Sequence, residues 1–106
     1  MAPELLSGQP YSEKVDIFGF GMIFYELLER EWAWNNVDEG DVVDRVLDGE
    51  RPKLSSWVPK ECVDLYDRTI DQDQNKRPSS KSLITAILQL PHATWREPPN
   101  ESLVNT

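Results

Sequence analysis

The stretch from Val15 to Leu28 limits what this chain can become more than any other feature. Ten of its fourteen residues are apolar, and on a helical wheel they fall on every side. A helix that is apolar all round must be enclosed by other elements rather than lie on a surface. A buried strand is the competing reading, but strands seldom exceed about ten residues, so the length favours a helix running to about Glu29. Asp16 suits the positive end of that helix, and Glu29-Arg30-Glu31 closes it. With Asp16, Gly19, Gly21 and Glu26 inside it, the stretch is too short and too polar to span a bilayer.

Three amphipathic helices are predicted to follow. In the segment from about Asp41 to Asp48, Val42, Val43, Val46 and Leu47 share a face, and Gly49 is placed as the residue just past the end. Arg51-Pro52 stops any helix there. Pro59, a good first-turn residue, opens a helix to about Ile70 with apolar members Cys62, Val63, Tyr66 and Ile70, and Leu65 flanking. Ser79 is the predicted cap of a last helix with the stripe Leu83, Ile84, Ile87, Leu88 and Leu90, ended by Pro91. Residues 1–14 read as irregular, because Pro3 and Ser7-Gly8-Gln9-Pro10 are loop punctuation. The tail from His92 to Thr106 reads as frayed or disordered. The expected fold is therefore all-α, about four helices with the enclosed one at the centre.

Composition removes several classes of function. The 106 residues suit one domain or a piece of one. Eleven Lys and Arg against nineteen Asp and Glu give a net charge of −8. That argues against nucleic-acid and anionic-membrane partners, which need a basic footprint. A single cysteine, Cys62, excludes an intrachain disulfide framework and any multi-cysteine zinc site, and a buried, inert thiol is the favoured reading. No basic stretch followed by an apolar run opens the chain, so an intracellular, cytoplasmic protein is expected. The acidic segment Asp38 to Glu50 reads by default as a solvated helix face, with steering of basic partners as the alternative. Trp34 and Trp57 read as loop-to-helix packing ahead of a docking surface.

Four landmarks, in order, resemble the C-terminal half of a eukaryotic protein kinase domain. Ala2-Pro3-Glu4 matches the A-P-E motif that closes the activation segment. Asp16-Ile17-Phe18-Gly19-Phe20-Gly21 looks like the D-x-[WF]-x-x-G start of the long central helix of the large lobe. Gly49-Glu50-Arg51-Pro52 resembles the turn after the following helix, and Asp73-Gln74-Asn75-Lys76-Arg77-Pro78-Ser79 looks like D-P-x-x-R-P-S. The resemblance covers about residues 1–90, leaves 91–106 as a tail, and is nearest the tyrosine-kinase-like serine/threonine group. Gln74 stands where Pro is usual, Thr69-Ile70 where Cys-Trp is frequent, and Ala33-Trp34 where Pro-Trp is frequent.

The resemblance implies roles for three residues. Glu4 and Arg77 match a buried ion pair that staples the end of the activation segment to the loop before the last helix. A planar guanidinium suits that role because it holds a carboxylate bidentately. Asp16 matches the aspartate that holds the catalytic-loop backbone. Taken singly, each of the three reads as a surface charge.

Phosphoryl transfer in this family uses a Gly-rich loop, a strand lysine, magnesium-binding D-F-G and catalytic-loop residues, and an H-R-D aspartate. None is in this sequence; Asp16-Ile17-Phe18-Gly19 is not D-F-G, since an extra residue intervenes. No catalytic, cofactor-binding or metal-binding residue is therefore expected in the chain. ATP, magnesium and a protein substrate are expected of a full-length kinase, whose missing parts precede A-P-E and are this chain's natural partners. The simplest account is a partial record or truncation of such a kinase. The alternative is a non-catalytic helical interaction module or a pseudokinase fragment.

Overall fold

The computed structural model describes residues 1–91, and the tail from His92 onward lies outside the described residues. Helices α1 (Pro3–Leu6), α2 (Lys14–Glu29), α3 (Glu39–Leu47), α4 (Lys60–Thr69) and α5 (Ser80–Leu88) follow one another, with a 3-10 turn, Gln74–Lys76, before α5. The described residues contain no strand, and the fold is all-α. None of their helices is long and apolar enough to cross a membrane.

The opening is not irregular throughout. Pro3 starts α1, where its missing N–H is no loss, and Ala2 O accepts the N–H groups of Leu5 and Leu6 at 3.1 and 3.2 Å. Proline read as punctuation hid a helix that proline begins.

Enclosure of α2 is one-sided. Ile17, Phe18, Gly21, Phe24, Tyr25 and Leu28 form a buried stripe at helical spacing, but Ile23 and Leu27 are 56% and 58% exposed. The reason is supply: α4 and the loops cover one side, and the described residues hold nothing to cover the other. Gly21 is where α2 and α4 meet most closely. A Cβ added there would overlap the Thr69 hydroxyl and lie 2.6 Å from Ile70 Cγ2. The rings of Tyr25 and Tyr66 extend the contact, with centroids 5.9 Å apart.

The inner face of α4 differs from the expected one. Cys62, Leu65, Tyr66 and Thr69 are buried, so Leu65 lies at the centre of the face and Val63 at its half-buried margin, the reverse of the expectation from periodicity. Pro59 caps α4 instead of being its first residue. On α3, Val46 is buried, Val42 and Val43 half-buried, and Leu47 exposed. Gly49 follows its end with φ of 91°. Ser79 Oγ caps α5 by accepting the Ser82 N–H at 3.1 Å. Of the predicted α5 stripe, Leu83 is buried and Ile87 and Leu90 are half-buried, whereas Ile84 and Leu88 are exposed. A nine-residue helix here meets the core along one narrow edge, and the two exposed residues sit beyond it. Each fully buried Phe or Leu of the core, Phe18, Phe24 and Leu65 among them, contributes about 1.5–3 kcal/mol of transfer free energy.

Candidate functional site

Local sequence explains how a charged side chain from the loop before α5 reaches the interior. Asp73 caps the 3-10 turn by accepting the Asn75 N–H at 2.9 Å. Pro78 disfavours helical backbone at the residue before it, and Arg77 is extended, with φ of −73° and ψ of 147°. Its side chain thereby leaves the turn and enters the core. Glu4 sits in the first turn of α1, the end a carboxylate prefers.

The two residues meet as a bidentate pair. Arg77 Nη1 donates to Glu4 Oε2 at 2.7 Å and Nη2 donates to Oε1 at 2.9 Å, across 73 positions of sequence. Glu4 is 7% exposed and Arg77 2%. Two further donors are also used: Nε donates to Asp71 O at 2.9 Å and Nη1 to Lys14 O at 3.0 Å. Lys14 Nζ returns a bond to Arg77 O at 2.6 Å. One guanidinium thus ties α1, the start of α2 and the loop before α5. Its charge is compensated and each of its three nitrogens donates a hydrogen bond, the two conditions a buried ion needs.

A second arginine, Arg51, completes the cluster; its place in the sequence marks it only as a turn residue. Its Nε donates to Ile70 O at 2.9 Å, and Nη1 donates to Val46 O and Glu50 O at 3.1 and 2.7 Å. Its Nη2 donates to Gln72 Oε1. Both guanidiniums lie over the buried ring of Phe18, at 5.0 Å for Arg51 and 5.1 Å for Arg77. Desolvation, and then the charge of Arg77, pull the Arg51 pKa down from its usual value. The ring face, negative in its quadrupole, offsets part of that repulsion.

Carboxylates at the far end of α2 hold loops. Glu26 Oε2 accepts the Ala33 N–H at 2.8 Å, and Glu29 accepts both the N–H and the hydroxyl of Ser55 at 2.7 and 2.6 Å. Asp16 is not brought to Glu4 and Arg77. It stands exposed on the first turn of α2, with no hydrogen bond to its side chain among the described residues.

The pair makes stability depend on pH. Burial alone would raise the Glu4 carboxyl. The Arg77 hydrogen bonds, with the charges of Arg77 and Arg51, outweigh it and hold the carboxyl below its ordinary 4.5. A lowered folded pKa contributes stability that is fully present above the unfolded value and is lost as pH falls through the folded one. The unfolding free energy, followed by urea titration, is therefore expected to decline below pH 4.5. Glu4→Gln should flatten that part of the profile, and an unchanged slope in the variant would contradict the assignment.

An open cleft of about 360 Å³ borders the pair, with Glu4, Gln72, Asp73 and Gln74 in its wall. No group of three or more His, Cys, Asp or Glu side chains among the described residues is placed to hold a metal ion. The cluster can anchor and position chain segments; it carries no nucleophile with an adjacent base.

Comparison with known proteins agrees with this architecture. The family model for the protein kinase domain matches residues 1–92. A probable serine/threonine-protein kinase of Dictyostelium discoideum is 38% identical over 92 residues, covering 87% of this chain and 10% of that protein. The serine/threonine-protein kinase VIK of Arabidopsis thaliana is 40% identical over 88 residues, covering 82% of this chain and 20% of that protein. Mitogen-activated protein kinase kinase kinase 7 of Bos taurus is 32% identical over 94 residues, covering 85% of this chain and 16% of that protein. The chain thus spans a fifth or less of the length of these relatives.

Proposed function

The chain belongs to the protein kinase domain family, and on that premise we propose that it is the C-terminal helical part of the large lobe of a serine/threonine kinase. The order of its four landmarks supports that placement, and their style supports the tyrosine-kinase-like group. In this reading residues 1–90 form the lobe segment and 91–106 its tail. The observation that carries the reading is the buried Glu4–Arg77 pair, which joins the Ala-Pro-Glu turn to the loop before α5. Its role is to fix the end of the activation segment against the helical core. Asp16 has the role of holding the catalytic-loop backbone, supported by its exposed place on the first turn of α2.

Phosphate transfer from ATP to protein is then the work of the whole, intracellular enzyme. The relatives' names support Ser/Thr as the acceptor. In the family the metal and nucleotide are held by D-F-G, catalytic-loop and Gly-rich-loop residues, motifs that this sequence does not contain, so this reading gives that work to other parts of the enzyme.

Two experiments test the reading. The transcript upstream of Met1 is expected to encode, in frame, H-R-D-x-x-x-x-N and D-F-G; an upstream frame with neither contradicts it. The purified 106-residue chain, titrated calorimetrically with ATP and magnesium, is expected to show no binding. A micromolar affinity would mean that the nucleotide site lies within these residues.

A further inference from the structure

We propose that Gln74 is a positioning residue that sets the course of the loop from Gly8 to Glu13 by clasping Pro10 and Ser12. Its amide Nε2 donates to Pro10 O at 3.0 Å, and Ser12 Oγ donates to Oε1 at 3.1 Å, bridging 64 and 62 positions of sequence. The donor and the acceptor of one primary amide are both engaged by the same loop. Ser12 Oγ also accepts the Lys14 N–H at 3.2 Å, so the bonds run without a break from the 3-10 turn to the first residue of α2.

Packing does not hold this loop. Every residue from Ser7 to Glu13 is exposed, Gly8 turns the chain with φ of 72°, and Tyr11, between the two clasped residues, is 66% exposed. Among the described residues, the bonds to Gln74 are the only hydrogen bonds joining residues 10–13 to a distant part of the fold. Proline, which the family pattern carries at this place, has no side-chain donor or acceptor to offer. The departure from pattern at 74 is thus matched by a contact that only a residue with both groups makes.

The inference rests on the proposed anchoring of residues 4–14, and the experiment separates the two. Chymotryptic cleavage after Tyr11 is measured on the 106-residue chain under native conditions, where the rate follows the population of the opened loop. Gln74→Ala and Ser12→Ala are each expected to raise the rate about 5-fold, as loss of a net stabilising hydrogen bond should. Gln74→Glu, which keeps the acceptor and loses the donor, should fall between wild type and Gln74→Ala. The double variant should fall well short of the product of the single effects, because both changes remove the same bond. An unchanged rate in Gln74→Ala, or fully multiplicative effects, would overturn the clasp. Exchange of the Arg77 Nε–H reports the anchor separately. It is expected to stay slow in wild type and in Gln74→Ala, and fast exchange in wild type would overturn the anchor.

Discussion

Replacing Arg77 by alanine is expected to lower the free energy of unfolding by about 3–5 kcal/mol, the cost of removing one partner from a buried ion pair. The magnitude comes from what is left behind. Glu4 stays buried with a charge that has lost its bidentate partner, and the carbonyls of Asp71 and Lys14 each lose a donor. Against a total of about 5–15 kcal/mol for a domain, that is enough to unfold a marginal chain. Arg77→Lys should recover only a minor part, because an ammonium cannot present two parallel donors to a carboxylate. Urea denaturation followed by circular dichroism measures both variants. A loss below about 1 kcal/mol for Arg77→Ala would place the pair among surface ion pairs in worth, against its observed burial.

The second large effect is expected at Gly21. Alanine there gains roughly 1 kcal/mol of helix propensity, but its methyl enters space held by Thr69 and Ile70, and overpacking costs about 1–3 kcal/mol. The atoms it meets belong to β-branched side chains close to the α4 backbone, which cannot swing aside as the end of a lysine would. Net destabilisation is expected, with the larger Gly21→Val worse. Gly19, two residues earlier on the same helix, is the internal control. A Cβ at that position meets nothing within 4 Å, so Gly19→Ala should stabilise by up to about 1 kcal/mol. Thermal melts of the two alanine variants should move in opposite directions; movement in the same direction would count against a close helix contact at Gly21.

What sequence made legible was mostly local. The length and apolar content of residues 15–28 predict α2, and Ser79 predicts the start of α5. How far a helix is covered is a property of its partners, which is why Ile23, Leu27, Ile84 and Leu88 are exposed despite their apolar character. Periodicity alone left Leu65 at the margin of α4, since which of its apolar residues turn inward depends on how α4 is laid against α2. Nothing in composition or spacing pairs Glu4 with Arg77; only resemblance linked them. Arg51 was legible as a turn residue and not as a hub, because its acceptors are mostly main-chain carbonyls, which carry no side-chain signature.

The ring of Phe18 has a wider consequence. A guanidinium from each of two separate loops lies over it, so that ring is a support common to both. Loosening the turn after α3 is therefore expected to weaken the grip on the Ala-Pro-Glu corner as well, by the modest amount that a cation–π contact contributes. Two loops on either side of α4 thus rest on a single aromatic side chain.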